Sequence, residues 1–349
     1  MSDPLSPRRA RFRRFARRVV LVLVLLPVVL MAVGAVYQAL GSRRDAARLP
    51  PPGTLVSIGT HRMHIHCTGT EKPTILLDAG AGGWSLHWAS IRPLLDSLAR
   101  VCAFDRSGAG WSDKGPGAYD GEAIAREVDA LLRAAGETDP VLYVGHSLGA
   151  NLGLIHYGLF PANIAGLVLI DPGRTVDMLE DFAGTRADAE AITSCGWTCW
   201  AATAATRTGL VRLLVRSLGS RYMADEVVAA YRAGMARPFT VTTFAAYLTF
   251  LPKTAWQQRR VEDLGDLPLS IVYSGNTRRP EGDETEADVA AWHAETLEDM
   301  RALAARSTRG TGPLVVDSAT HSSIVLAPEY ARTVAAEILR VRALLGGTH

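Results

Sequence analysis

A serine sits between two glycines in Gly145-His146-Ser147-Leu148-Gly149. Serine oxygen attacks a carbonyl carbon only when a neighbouring base takes its proton, so a G-x-S-x-G sequence is interesting only in the right surroundings. Those surroundings are present. The apolar run Val141 to Val144 has the character of a buried strand, and Leu148, Leu152, Leu154, Ile155 and Leu159 follow with helical spacing. A sharp strand-to-helix turn lifts the hydroxyl of Ser147 off the sheet edge and into a cleft. Gly145 and Gly149 fit such a turn, because strand and helix backbones nearly touch there and leave no room for a Cβ.

The elements that must hold this turn follow from the rest of the chain. Strand and helix patterns alternate after residue 53. Leu55–Ile58 and Met63–Cys67 predict a hairpin, Thr74–Asp78 a strand, Leu86–Leu98 a helix, Arg100–Asp105 a strand and Glu122–Ala135 a helix. A strand over Ile164–Ile170 follows the Leu148 helix. The rhythm breaks over residues 174–262, which are helix-rich. It resumes with a strand at Leu269–Tyr273, a helix over 286–306, a strand at Leu314–Val316 and a last helix from Glu329 to Leu345. Such alternation implies a mostly parallel sheet covered on both faces. The break reads as a cap inserted after the sixth strand. Its apolar runs are too short and too charged to cross a bilayer.

The N-terminus has a different character. Seven arginines lie between Arg8 and Arg18, and an apolar run free of charge follows from Val19 to Leu40. That run is long enough to span a membrane as one helix. A cleaved signal peptide is the alternative, with Ala32-Val33-Gly34 as its cleavage site, but the apolar run continues past it. The reading is therefore a basic cytoplasmic tail (residues 1–18), a single-pass signal-anchor (19–40) and a linker (41–53) with the stiff sequence Leu49-Pro50-Pro51-Pro52-Gly53. The domain beyond lies on the extracytoplasmic side, because basic flanks resist translocation. Net charge agrees with that division. The tail carries +6 of a chain total of +2, so the remainder is about −4, with no basic surface of the kind nucleic acid requires.

With these elements in place, the chain resembles the α/β-hydrolase family over residues 54–345. Four segments carry the likeness in the family's order: Asp78-Ala79-Gly80-Ala81-Gly82-Gly83 after the third strand, Asp105-Arg106-Ser107-Gly108-Ala109-Gly110-Trp111-Ser112 after the fourth, the Ser147 turn, and Thr320-His321-Ser322 after the last. The resemblance implies an eight-stranded, mostly parallel sheet. Its core comprises residues 54–173 and 263–349, with a helical cap over 174–262. It also implies a Ser-His-acid hydrolase.

The resemblance assigns roles residue by residue. Of nine histidines, His321 alone sits in a short loop after a late strand, as the chain order Ser…acid…His requires. His61, His64 and His66 read as surface or hairpin residues, His87 as a possible pocket residue, and His146 as flanking the serine on the wrong side to act as base. The oxyanion hole is expected from the N–H of Leu148 and the N–H of Ala81. At the family's usual place for the acid, after Leu269–Tyr273, this chain has Gly275-Asn276-Thr277-Arg278, with Glu281 and Asp283 beyond. Asp171, ending the sixth strand, is the first candidate for the acid and Asp283 the alternative. In an oxidising compartment the four cysteines are expected as Cys67–Cys102, on neighbouring strands, and Cys195–Cys199, in the cap.

The leading function is a membrane-anchored serine hydrolase acting on small-molecule esters or lipid-like acyl compounds, needing no cofactor and no metal. The alternatives are an amidase or aminopeptidase on the same machinery and a catalytically silent binding module. Trp197, Trp200, Tyr222, Phe239, Phe244, Tyr247 and Trp256 suggest an apolar pocket under the cap. Ser147 argues against a dehalogenase or epoxide hydrolase, which need aspartate at that turn.

Overall fold

The computed structural model describes residues 7–117, 119–173, 186–216, 222–276, 280, 282 and 284–346. One sheet organises the molecule. Its strands are β1 (Thr54–Ser57), β2 (Arg62–Thr68), β3 (Ile75–Asp78), β4 (Val101–Asp105), β5 (Val141–His146), β6 (Ile164–Ile170), β7 (Leu269–Ser274) and β8 (Gly310–Val316). Their spatial order is β1-β2-β4-β3-β5-β6-β7-β8. The β1–β2 and β2–β4 pairs are antiparallel, and the pairs from β4–β3 across to β7–β8 are parallel. β3 and β5 are buried along their whole length, as central parallel strands covered on both faces must be.

The two-residue period of a strand separates two cores. Val141 and Tyr143 of β5 join a cluster on one face, while Leu142 and Val144 join a cluster on the other. Among the helices named here are α1 (Pro7–Arg48), α2 (Arg92–Leu95), α3 (Gly121–Ala134) and α4 (Leu148–Leu159). α3 shows how sequence makes such an element. Asp120 caps it by accepting from the Ala123 N–H at 3.2 Å. Ile124, Val128, Leu131 and Leu132 then form one buried stripe. Each fully buried leucine contributes roughly 1.5–3 kcal/mol relative to exposure. α4 is buried almost all round, so it is a core helix fixed directly behind the serine.

The expected helix over Leu86–Leu98 is instead a 3₁₀ turn at Ser85–Trp88 followed by the single turn of α2. Pro93 explains the interruption, because it has no N–H to carry a helix across this point. Between β6 and β7 the described chain is helical: Arg186–Glu190, Gly196–Arg207, Leu210–Leu214, Asp225–Met235 and Thr240–Gln258. Both expected disulfides, Cys67–Cys102 and Cys195–Cys199, are present.

The N-terminal segment departs most from expectation. α1 runs 42 residues, about 63 Å at 1.5 Å per residue. It absorbs residues 41–48 of the expected linker. Its last turns pack on the helices between β6 and β7 instead of standing the domain off. Gln38 is buried and donates to the Ala236 carbonyl at 2.7 Å, and Arg212 reaches Asp45 at 2.6 Å. Gly34 and Gly209 make the approach possible, since a Cβ at Gly34 would lie 2.0 Å from the Thr208 oxygen.

Candidate active site

Ser147 begins where β5 ends. Its φ is +52°, a left-handed conformation that costs a non-glycine residue on the order of 1–3 kcal/mol and persists only where the surroundings enforce it. The enforcement is visible. The Ser147 N–H donates to Ile170 O at 2.9 Å. A Cβ at Gly145 would meet the Gly149 carbonyl at 2.3 Å, and one at Gly149 would meet the Asp78 carbonyl at 2.5 Å. Both glycines are therefore required by close backbone approach, as the sequence suggested.

The structure brings Ser147, His321 and Asp171 together. His321 Nδ1 lies 2.6 Å from Asp171 Oδ2, and its Nε2 lies 2.9 Å from Ser147 Oγ. An ionised carboxylate only accepts, so Nδ1 carries the proton, and bare Nε2 accepts from the serine hydroxyl. Burial alone would raise the Asp171 carboxyl. Hydrogen bonds from His321 and Ser274 and the charge of His321 outweigh it and hold Asp171 below the usual carboxylate range. Ser274 contributes twice, its N–H at 3.1 Å from Oδ1 and its hydroxyl at 2.5 Å from Oδ2. Asp283 and Glu281 lie outside the described residues, as do Arg278 and His349.

His321 is held from its own backbone. Thr320 N–H donates to Ser323 Oγ at 2.8 Å, fixing the turn after β8. His146 Nε2 lies 2.8 Å from the His321 carbonyl. That carbonyl can only accept, so His146 donates. Burial, then the neighbouring His321, pushes His146 down to about 3, which keeps it neutral. With Nε2 spent on that carbonyl, His146 braces the loop that carries His321.

The other wall is the loop after β3. A Cβ at Gly80 would lie 3.2 Å from Ser147 Cβ, so this loop passes directly over the serine. Arg106 grips it. Its guanidinium, 2% exposed, donates to Asp78 Oδ1 at 2.7 Å, to the Ala79 carbonyl at 2.7 Å and to the Gly80 carbonyl. In a trans peptide the carbonyl of Gly80 and the N–H of Ala81 point opposite ways. Holding Gly80 O inward therefore turns the Ala81 N–H outward. The N–H of Leu148, at the first position of α4, has no partner within its helix. Gly80, just before Ala81, and Leu148, just after the serine, flank Ser147. Arg106, Ser274 and His146 had no role in the sequence reading. Their contacts join segments 26 to 175 residues apart, and no local signal marks them.

Several expectations shift. His64 lies on the β1–β2 hairpin, one of the two places expected for it, and is buried there with Nδ1 3.0 Å from Asp105. His87 is stacked on Trp84 and tilted against Tyr231, and burial, then the charge of Arg106, lowers it to about 4. Trp197 and Trp200 face outward, 78% and 73% exposed, and line no pocket over the serine. Phe244 and Tyr247 do approach the site, Phe244 against Gly82 and the Tyr247 ring 5.1 Å from Arg106. A cavity of about 190 Å³ is bordered by Trp84, Gly110, Trp111 and the end of α1, with Ser147 outside its lining. Cys67, Cys102 and Glu137 form a grouping of metal-ligating side-chain types, but the sulfurs are joined and Glu137 already accepts from Thr74 and Arg100.

Sheet, turn and loops together define an α/β-hydrolase fold, and an alpha/beta hydrolase fold model matches residues 73–193. The chain is similar to the uncharacterised protein YqjL of Bacillus subtilis, 31% identical over 107 residues, covering 31% of this chain and 42% of that protein. It is also similar to RutD of Serratia proteamaculans, named as a candidate carbamate hydrolase, at 35% over 107 residues, covering 30% and 39%. Each match spans less than half of the relative's length. Among solved structures, a thermophilic esterase from Thermogutta terrifontis superposes with TM-score 0.54 at 19% identity, covering 82% of this chain and 98% of that one. An epoxide hydrolase from Bacillus megaterium superposes with TM-score 0.57 at 15% identity, covering 82% and 100%. At such identities these two show the fold alone.

Proposed function

We propose that the chain is a serine hydrolase that cleaves carboxylic esters or lipid-like acyl compounds, tethered to a membrane by α1. The observation that carries this is the continuous hydrogen-bonded path from Ser147 Oγ through His321 to Asp171, at 2.9 and 2.6 Å. The hydroxyl attacks the ester carbonyl carbon while His321 Nε2 takes its proton. The carbonyl oxygen becomes an oxyanion facing the Ala81 and Leu148 N–H groups. Asp171 stabilises the imidazolium. The C–O bond then breaks, His321 returns the proton to the leaving alcohol, and an acyl-Ser147 remains. Water, deprotonated by His321, attacks the acyl carbon and regenerates the enzyme with release of the acid.

The binding-module alternative rests on Arg278 standing at the family's usual place for the acid, and Asp171 within reach of His321 weighs against it. The tether rests on the uncharged run Val19–Leu40 within an exposed helix. A fluorophosphonate probe should label the wild-type chain and p-nitrophenyl acyl esters should turn over. Labelling that persists in Ser147→Ala, or its absence from the folded wild type, would sink the proposal.

A further inference from the structure

The outward faces of two consecutive helices have no role in the chemistry above. Helix Leu210–Leu214 has three faces. Val211 and Val215 pack inward with Ala236. Arg212 turns to α1, with Nε 3.0 Å from Gln38 Oε1 and a guanidinium nitrogen 2.6 Å from Asp45. Leu210, Leu213 and Leu214 point out, 49%, 54% and 60% exposed. The helix before it, Gly196–Arg207, exposes Trp197 and Trp200, one turn apart on one side. Isolated exposed apolar residues need no explanation, but five large ones on adjoining helices do.

Their position identifies the occupant. Gly209, between the two helices, touches Gly34 and Tyr37 of α1. These lie in the last third of the apolar run Val19–Leu40. Wherever that run crosses a bilayer, residues beside Gly34 and Tyr37 are held at one of its surfaces. Tryptophan favours that depth, where its ring is buried and its N–H stays wet. Charge agrees. A cleft of about 240 Å³ between α1 and helix Asp225–Met235 is lined by Arg44, Arg48 and Arg216, while its one acid, Asp45, is already paired with Arg212. Arg216 lies 5.9 Å over the Tyr37 ring. Such arginines match lipid phosphates, and they stand on a domain that is otherwise mildly acidic.

We propose that this face is a membrane-docking surface: Trp197, Trp200 and the leucines of Leu210–Leu214 sit in the leaflet that α1 exits, and Arg44, Arg48 and Arg216 contact its anionic phospholipid headgroups. This rests on α1 being a membrane helix, but not on the hydrolase chemistry. Its consequence is that the helices Gly196–Arg207 and Leu210–Leu214 lie on lipid, held there by their packing on α1.

The test uses the full chain in nanodiscs of phosphatidylcholine with phosphatidylglycerol, with and without brominated acyl chains, read by tryptophan fluorescence. Bromine should quench part of the emission, and that part should vanish in Trp197→Phe/Trp200→Phe. A Leu213→Trp substitution in that background should restore it. Arg44→Gln/Arg48→Gln/Arg216→Gln should erase the difference in quenching between discs with and without phosphatidylglycerol. Quenching that survives the double tryptophan variant, an unquenched Leu213→Trp probe, or an undiminished phosphatidylglycerol effect in the arginine variant overturns the proposal. A chain that fails to co-purify with discs overturns the anchor and the docking together; one that co-purifies without quenching overturns the docking alone.

Discussion

Arg106→Gln is the substitution that most directly tests how the loop after β3, the proposed oxyanion loop, is held. Asp78 and Arg106 are 1% and 2% exposed in their side chains, and Tyr143 also donates to Asp78 at 2.7 Å. Removing the guanidinium alone leaves a buried carboxylate without its cation, at a cost of about 3–5 kcal/mol. That is a large part of the roughly 5–15 kcal/mol that holds a domain together, so the single variant confounds stability with catalysis. Asp78→Asn/Arg106→Gln removes both charges and should recover most of the loss in a urea melt. It does not recover the grip on the Ala79 and Gly80 carbonyls. The Ala81 N–H then loses its fixed direction, which should cost on the order of 10²–10³ in kcat, the effect of removing one oxyanion donor. KM should change little, because the lost interaction forms in the transition state. Steady-state hydrolysis of a p-nitrophenyl ester by the double variant is the deciding assay. A folded double variant with unchanged kcat would refute the argument.

Ser147→Ala and His321→Ala should each lower turnover by several powers of ten and leave the unfolding midpoint near wild type, measured on the same ester; near-normal rates in His321→Ala would remove it as the base. Asp171→Asn should cost on the order of 10⁴-fold. Ser274→Ala, which deletes one hydrogen bond to that charged carboxylate, should cost roughly 10- to 100-fold; a Ser274→Ala enzyme at full rate would show that the acid needs no second support. Burial holds His87 at about 4, His146 at about 3 and His156 at about 4. All three lie below the unfolded value near 6.5, so the unfolded chain binds more protons, and stability present above about pH 6.5 is lost as pH falls toward 4, by up to about 1.4 kcal/mol per unit for each. Urea melts at pH 7 and pH 5 read this directly, and equal stabilities would contradict it. Protease added to spheroplasts should digest the domain and spare a tag placed before Arg8; the reverse pattern would invert the topology.

What the sequence made legible was local. Gly145–Gly149 announces its own geometry, because two glycines and a serine between a buried strand and a helix satisfy one turn. His321 was legible through chain order, since it alone of nine histidines follows a late strand. Arg106 was quoted within its motif, yet its function depends on three oxygens of Asp78, Ala79 and Gly80, and nothing in residues 105–112 says where they are. The same holds for α1. Its apolar run was plain, but the packing of Gly34, Gln38 and Gly41 on Thr208, Ala236 and Arg212 joins segments some 170 to 200 residues apart. Pro50-Pro51-Pro52 suggested a stand-off linker because composition reports stiffness and not contacts.

The position of the acid follows from the sheet itself. β5 and β6 are neighbours in parallel register, with His146 opposite Ile170, so Ser147 and Asp171 are the next residues of adjacent strands. Both have positive φ, +52° and +46°, and they are the two non-glycine residues in that region among those described. The ladder continues through them, since Ser147 N donates to Ile170 O at 2.9 Å and Asp171 N donates to Val272 O at 2.7 Å. The strain is therefore held by bonds that the sheet makes in any case. β7 then ends in Ser274, within reach of both Asp171 oxygens, and the loop after β8 lowers His321 between carboxylate and serine. Consecutive strands thus deliver Ser147, Asp171 and Ser274, the proposed nucleophile, acid and support of the acid, along one edge. After β7 the chain turns at Gly275, which packs against Asp317, where a Cβ would come within 2.7 Å of its Cα. On the proposed assignment, Asp171 at the end of β6 takes the place that the resemblance gives to the position of Arg278 after β7.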